Sequence, residues 1–174
     1  MLREMKNVSF IAICVAFLLV SGRAAAATYY ISSETGSDVN TSEQAQSKSR
    51  PWAHLPCMVN AMGNAAAYRP VAGDIFVLKG GETWGNASFP CNWQWSGNRE
   101  SRITITVDKT WFTGDAWTRP IWDAEGRAIS GPRNIFLWFN LTAIRYVTFS
   151  GIEMRGHHWD GNPAFATCGQ IVGA

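Results

Sequence analysis

The sequence has few charged residues and almost no imbalance of charge. Of its 174 residues only 16% are Asp, Glu, Lys or Arg, and the formal net charge is +2. Residues 1–27, set apart below as a leader, hold 3 basic residues and 1 acidic one, so 15 − 3 = 12 basic and 13 − 1 = 12 acidic side chains remain. A chain without net charge lacks the basic surface that binds nucleic acid, so we exclude nucleic acid as a partner.

Long hydrophobic runs are also missing, apart from one at the N-terminus. Residues 8–20 (VSFIAICVAFLLV) form a 13-residue apolar run after a short basic segment, and small residues follow up to Ala27. This pattern predicts a secretory signal peptide over residues 1–27, with cleavage after Ala26 or after Ala27. The alternative is a membrane anchor, for which the run is short. We expect a secreted, periplasmic or extracellular protein that has no membrane association once the leader is removed.

Cysteines are few, and none has the spacing of a metal site. Export places Cys57, Cys91 and Cys168 in an oxidising compartment, where at most one internal pair can form. We favour a Cys57–Cys91 disulfide because both residues lie in the first half of the chain; the alternative is that they are small buried hydrophobic residues. Neither a CxxC motif nor a Cys/His cluster with zinc spacing is present, so the sequence predicts no metal site.

What the sequence does contain is 47% hydrophobic residues in a length that suits one folded domain. A polar stretch over residues 32–50 reads as loop. After it, the spacing of Leu55, Val59 and Met62 predicts an amphipathic helix over residues 53–67.

Short β-prone runs separated by turn residues fill the chain from residue 72 onward. Their lengths indicate an all-β protein, and their spacing of twenty to thirty residues favours a stacked solenoid over a sandwich, which would show tight hairpin turns. The runs cover residues 75–78, 103–107, 120–122, 135–139, 146–149, 151–154 and 171–172.

An ordered series of motifs carries a family resemblance over about residues 28–158. It comprises residues 29–32 (YYIS), 51–55 (PWAHL), 72–78 (AGDIFVL), 120–123 (PIWD) and 146–155 (YVTFSGIEMR). With these motifs the sequence resembles the N-terminal part of secreted right-handed parallel β-helix proteins of the pectin-lyase-like superfamily. Relatives of this kind include polysaccharide lyases of the alginate lyase and chondroitinase B type.

The resemblance implies a right-handed parallel β-helix in residues 28–174, with a capping segment at 51–70 that contains the helix and with coils over 71–174. The cap would hide strand edges at the open end of the stack. Val77, Ile105, Val147 and Ile171 would form an apolar ladder inside the coils.

The resemblance also implies an exported protein related to uronate-polymer lyases. In such lyases a basic residue abstracts a proton, and Ca²⁺ or Arg neutralises the resulting charge, so Ca²⁺ is implied by the resemblance alone. This chain has room for about two to three coils. We therefore expect an N-terminal portion that lacks the catalytic coils and is inactive alone, and we transfer no catalytic residue. The alternatives are a non-catalytic glycan-binding module and a surface or adhesive β-helix module.

Two pairs of residues are candidates for binding a polysaccharide. The guanidinium of Arg155 favours an acidic polysaccharide. Glu153 and Arg155 lie two apart in a strand and so share a face; the alternative is a solvated, self-neutralised strand surface. Trp93 and Trp95 lie in a loop-like segment where sugars could stack on their rings; the alternative is packing of the loop against the core. The sequence carries no signal for an oligomeric state.

Overall fold

The computed structural model describes residues 25–129, 138–141, 143–156, 158–159 and 172–173. Most of the proposed leader lies outside these residues, as do Cys168 and Ile171. Within the described residues almost all the regular secondary structure is β-strand, which confirms an all-β fold, and no helix there is long and apolar enough to cross a membrane. The strands are β1 (Thr28–Ile31), β2 (Ile75–Gly80), β3 (Thr83–Trp84), β4 (Cys91–Trp93), β5 (Ile103–Phe112), β6 (Ile121–Asp123), β7 (Ala128–Ile129), β8 (Phe139–Leu141), β9 (Val147–Phe149), β10 (Glu153–Arg155), β11 (His158–Trp159) and β12 (Val172–Gly173).

All pairings between these strands are parallel. They form sheet 1 in the order β1-β2-β5-β9, sheet 2 in the order β3-β6-β10, sheet 3 in the order β4-β8-β12, and the pair β7-β11. From β2 onward the chain passes through sheets 1, 2 and 3 in turn and then returns to sheet 1. Each strand therefore pairs with strands far from it in the sequence.

The interior of sheet 1 is a ladder of large side chains in register. Tyr29 pairs with Phe76, Phe76 with Ile105, and Ile105 with Phe149. Tyr29, Phe76 and Ile105 are at most 3% exposed, whereas Phe149 is partly buried against the same core. Parallel strands that are covered on their faces favour such apolar side chains.

The apolar ladder proposed from the sequence is wrong in its register. Val77 pairs with Thr106 rather than with Ile105, and Val147 pairs with Ile103. Successive side chains of a strand point to opposite faces, so a shift of one residue places Val77 on the outer face of sheet 1. The fourth proposed member, Ile171, lies outside the described residues.

Tryptophan fills the interior of sheet 2. Trp84 and Trp122 are register partners, and both are essentially inaccessible to solvent. Phe89 and Phe139 pack against Trp122 with ring centroids 5.0 Å apart in each case. Burial of an indole removes about 150–250 Å² from water, which corresponds to about 4–6 kcal/mol of transfer free energy before the entropy cost of ordering is subtracted.

The helix predicted over residues 53–67 is largely absent. Only Gly63–Ala67 is α-helical, and Val59 and Met62, expected on the apolar stripe, are 50% and 68% exposed. The carboxylate of Asp38 accepts hydrogen bonds from the backbone N–H groups of Ala53, His54 and Met62, which holds the segment in a loop around that side chain. Because these backbone N–H groups already donate to Asp38, they do not need the hydrogen bonds of a helix.

A disulfide fastens the same segment to the sheets. Cys57 and Cys91, 34 residues apart, are joined, and they are the pair chosen in the sequence analysis. The neighbouring Met58 forms an antiparallel bridge with Cys91, and the N–H of Asn92 donates to the carbonyl of Cys57 at 2.7 Å. The segment thus lies beside β4 as a series of turns around one bridge residue rather than as a helix.

Candidate functional site

An open groove of about 440 Å³ lies where sheet 1 meets sheet 2. One wall is the second half of β5, where the pairing with β2 is interrupted by a register shift before Phe112 pairs with Gly80. The other wall is the loop over residues 113–119 that leads back to β6. Residues on the turn between β9 and β10 close the third side. The lining side chains and backbone belong to Val107, Lys109, Trp117, Thr118, Arg119, Gly151 and Glu153.

Backbone hydrogen bonds fix both ends of the loop over residues 113–119. The N–H of Thr113 donates to the carbonyl of Gly80 at 3.1 Å, and the N–H of Gly81 donates to the carbonyl of Thr118 at 3.1 Å. The loop is therefore tied back to the Gly80–Gly81 turn between β2 and β3. A loop anchored on a sheet in this way presents its side chains in a defined position, as binding sites require.

The ring of Trp117 is held in place by its neighbours. It packs directly over Gly80, where the Cβ of any other residue would collide with the indole. Phe112 contacts it edge to face, with ring centroids 5.8 Å apart and an interplanar angle of 87°. Trp117 is nevertheless only half-buried, so part of its ring faces the groove. An indole with one apolar face available is a surface on which a flat apolar ligand face can pack.

Two cations face the same groove. Lys109 and Arg119 are exposed, and neither forms an ion pair with any residue that the structure describes. By contrast, Lys79 of β2 is bound to the buried carboxylate of Glu82 at 2.9 Å. The groove therefore carries positive charge that is free to attract an anionic group.

Glu153 and Arg155 share the outer face of β10, as the spacing predicts, and a third residue joins them. Arg155 Nε donates to Asp123 Oδ2 at 2.9 Å, while Arg155 Nη1 lies 3.9 Å from Glu153 Oε1. The backbone N–H of Glu125 and then the Arg155 guanidinium lower the pKa of Asp123. Both carboxylates are thus arranged around one guanidinium, and Glu153 extends into the groove.

The two other predicted sugar contacts lie elsewhere. Trp93 is fully buried, its Nε1 donates to the carbonyl of Trp95 at 2.7 Å, and its ring packs against Phe76 and Phe149, so no sugar can stack on it. The proposal for Trp93 is therefore wrong because the alternating β4 strand directs this ring into the core. Trp95 is half-buried and lines a separate depression of about 270 Å³ beside Arg69.

The residues that the sequence analysis missed at the groove are Lys109 and Arg119. The β-prone run seen in the sequence ends at residue 107, whereas β5 continues through Asp108 and Lys109 to Phe112. The β-prone residues 110–112 (TWF) are the signal that could have revealed the longer strand. No comparable pattern in the sequence indicates Arg119, because its place beside Lys109 depends on how the loop over residues 113–119 folds back.

No group of three or more His, Cys, Asp or Glu side chains that could hold a metal ion occurs in the part of the chain that the structure describes. The adjacent His157 and His158 belong to a stretch whose side chains lie outside that part. The groove chemistry described here therefore rests on cations, one carboxylate and an indole.

Comparison with known proteins gives a similarity in structure. The sequence matches no protein-family profile and no curated protein. Its structure resembles the crystal structure of native GH136 lacto-N-biosidase from Eubacterium ramulus, with a TM-score of 0.51 and 18% identity over 78% of this chain. The selenomethionine form of that enzyme matches with a TM-score of 0.48 and 20% identity. The chain spans 21% of the length of that enzyme.

This similarity corrects the family resemblance drawn from the sequence. The solved structure that the chain resembles is a glycoside hydrolase, not a polysaccharide lyase, so the assignment to the pectin-lyase-like superfamily is wrong. The motifs behind it are short β-strands and glycine turns, which report parallel β architecture more than ancestry. The Ca²⁺ that was implied by that resemblance alone loses its basis with it.

Proposed function

We propose that this chain is an exported carbohydrate-binding protein, or the part of one that contributes a glycan-binding groove. The observation that carries the proposal is the groove itself, in which the half-buried Trp117 ring lies beside Lys109 and Arg119. Sugar rings have apolar faces that pack on indoles and polar edges that bind charged and hydroxyl groups. The similarity in fold to part of a glycoside hydrolase supports a carbohydrate as the partner.

The charges of the groove favour a glycan that carries anionic groups. Among the described residues, no carboxylate forms an ion pair with Lys109 or Arg119, whereas Glu153 lies 3.9 Å from the Arg155 guanidinium that it shares with Asp123. A carboxylated or sulfated sugar would bring the counter-charge that these side chains lack, and a guanidinium can bind a carboxylate through two parallel hydrogen bonds.

The arrangement of carboxylates favours binding rather than hydrolysis by the described residues. Glycoside hydrolysis usually needs two carboxyl groups, one of them held protonated as a general acid. Here Asp123 has a lowered pKa, and Asp123 and Glu153 both contact Arg155. The lowered pKa keeps Asp123 ionised, which suits the positioning of a ligand rather than the donation of a proton.

The architecture that we propose for the whole set of strands is a right-handed parallel β-helix. The ordered passage through sheets 1, 2 and 3, followed by return to sheet 1, supports stacked coils. Parallel crossover connections are almost always right-handed, which supports the hand. In such a stack the groove would run along an outer surface, where a polymer can lie across successive coils.

The test compares binding of anionic and neutral glycans by the exported chain. We would measure affinities for alginate and pectate oligosaccharides and for a neutral galactose- and N-acetylhexosamine-containing oligosaccharide by calorimetry. The variants are Lys109→Gln with Arg119→Gln, and the matched control is Arg99→Gln, an exposed arginine outside the groove. Two exposed charge contacts contribute about 0.2–1 kcal/mol each, so the double variant should bind an anionic glycan about 2- to 30-fold more weakly.

Salt supplies a second readout, because screening weakens contacts between exposed charges. Affinity for the anionic glycan should fall as the salt concentration rises, and it should fall less steeply in the double variant. Binding that is unaffected by both charge replacements, or the absence of binding to any of these glycans, would refute the groove. Release of reducing sugar would instead show that the chain hydrolyses its ligand.

A further inference from the structure

A fully buried carboxylate lies beside the first residues that the structure describes. Asp74 is 0% exposed, and its Oδ2 accepts hydrogen bonds from the Tyr68 hydroxyl at 2.8 Å and from the Val71 N–H at 2.9 Å. Its Oδ1 accepts a hydrogen bond from the backbone N–H of Ala27 at 3.0 Å. Among the described residues Asp74 has no ion-pair partner. A buried carboxylate that receives only neutral donors is unusual, since burial of an unpaired charge is costly.

Ala27 is the first described residue whose backbone N–H and carbonyl groups both form hydrogen bonds with the rest of the fold. Besides the bond from its N–H to Asp74, its carbonyl accepts the N–H of Ile75 at 2.9 Å, and β1 begins at the next residue, Thr28. Ala27 is half-buried, whereas Ala25 and Ala26 are exposed. The boundary between exposed and anchored backbone is therefore the peptide bond between Ala26 and Ala27.

The same bond is one of two that the small residues of the leader present to a signal peptidase. Cleavage after Ala27 would remove the donor to Asp74 Oδ1 and leave that buried oxygen without a partner. Cleavage after Ala26 would keep the nitrogen in place and convert it from an amide into an amine. A free α-amino group is protonated near neutral pH, so the buried carboxylate would gain the cation that it lacks.

We infer that a signal peptidase processes this chain between Ala26 and Ala27 and that the new α-ammonium group of Ala27 forms an ion pair with Asp74. In the hydrolysis, water adds its hydroxyl to the Ala26 carbonyl carbon, the C–N bond breaks, and the Ala27 nitrogen leaves with a proton. A second proton from solvent then makes it an ammonium. This inference rests on the proposed export of the chain. It adds that removal of the leader completes a buried ion pair and so couples maturation to the stability of β1.

The surroundings of the pair support a localised charge. The titratable groups beside Asp74 are the hydroxyls of Tyr68 and Tyr29, which are hydrogen-bonded to each other at 2.7 Å. Burial and these hydrogen bonds raise the pKa of Tyr68, and burial raises that of Tyr29, so both hydroxyls stay neutral through the physiological range. Glu43 acts on Tyr29 from farther away. The ammonium would thus be the single cation facing Asp74 within the described part of the chain.

The first experiment is N-terminal sequencing and intact-mass measurement of the full chain after expression in a secreting host. We expect a product that begins at Ala27. An exported product that begins at Thr28 or at another residue would overturn the inference while leaving export intact. Retention of the whole leader on a cell-associated product would count against export itself, and so the two failures are distinguishable.

The second experiment tests the ion pair in the processed protein. The pH dependence of cyanate modification of the Ala27 amine, followed by mass spectrometry of the N-terminal peptide, reports the pKa of that amine. We expect a value above the ordinary range of about 7.7–8.0, returning to that range in Asp74→Asn. Should Asp74→Asn fail to fold, the processed wild type still decides: an amine that titrates in the ordinary range or below it would overturn the pairing.

Discussion

Replacing Trp122 by Phe should destabilise the protein less than replacing Trp84 by Phe. The two indoles are register partners in sheet 2, and both are 0–1% exposed, so each replacement removes the same atoms from a similar environment. The difference lies in the ring nitrogens. Trp84 Nε1 donates to the carbonyl of Ala53 at 2.9 Å, whereas Trp122 Nε1 is buried with no acceptor among the described residues.

The expected gap follows from these contacts. Trp84→Phe loses a hydrogen bond and leaves the Ala53 carbonyl without that donor, at a cost of about 1–3 kcal/mol beyond the loss of packing. Trp122→Phe removes a donor that had no partner, so it carries the packing cost alone. We expect Trp84→Phe to be less stable by about 2 kcal/mol, which corresponds to a melting temperature lower by about 4–8 °C for a chain of this size.

Chemical denaturation followed by far-UV circular dichroism would measure the gap without relying on tryptophan fluorescence. Trp93→Phe is a matched control, because Trp93 is fully buried and its Nε1 donates to the carbonyl of Trp95 at 2.7 Å. It should behave like Trp84→Phe. If Trp122→Phe is the least stable of the three variants, the reasoning from the unpartnered nitrogen is refuted.

Two further predictions concern the segment between β1 and β2. Replacing both Cys57 and Cys91 by Ala should lower the free energy of unfolding by about 3.8 kcal/mol, the loop-entropy value for a 34-residue separation; equal denaturation midpoints with and without a reductant would contradict it. Burial alone would raise the pKa of Asp38, but hydrogen bonds from the His54 ring and from backbone N–H groups lower it overall. The resulting stability is present above the unfolded pKa of about 3.9 and is lost as the pH falls through the lower folded value. Denaturation between pH 2 and pH 7 should therefore show a smaller acid-induced loss in Asp38→Asn than in the wild type, and parallel curves would refute the role of this carboxylate.

The candidate groove depends on contacts that join distant parts of the chain. Trp117 needs Gly80 beneath it, and Arg119 lines the same groove as Lys109 because the loop is tied to the Gly80–Gly81 turn. The sequence shows each of these residues, but it does not show that they lie together, because they belong to three separate elements of the fold. Glu153 and Arg155 are the exception, since two residues in one strand share a face wherever that strand lies.

Short β-prone runs bounded by turn residues were enough to locate β2, β6 and β9 to within two residues, and the lengths of such runs were enough to indicate an all-β protein. Helix 53–67 was predicted from local spacing and fails because Asp38, fifteen residues before it begins, takes its backbone donors. Register, and with it the face that Val77 and Trp93 present, is a property of pairs of strands. Short-range pattern therefore determined where strands form, whereas only the tertiary structure decided which side chains became core and which line the groove, because a parallel strand finds its partner tens of residues away.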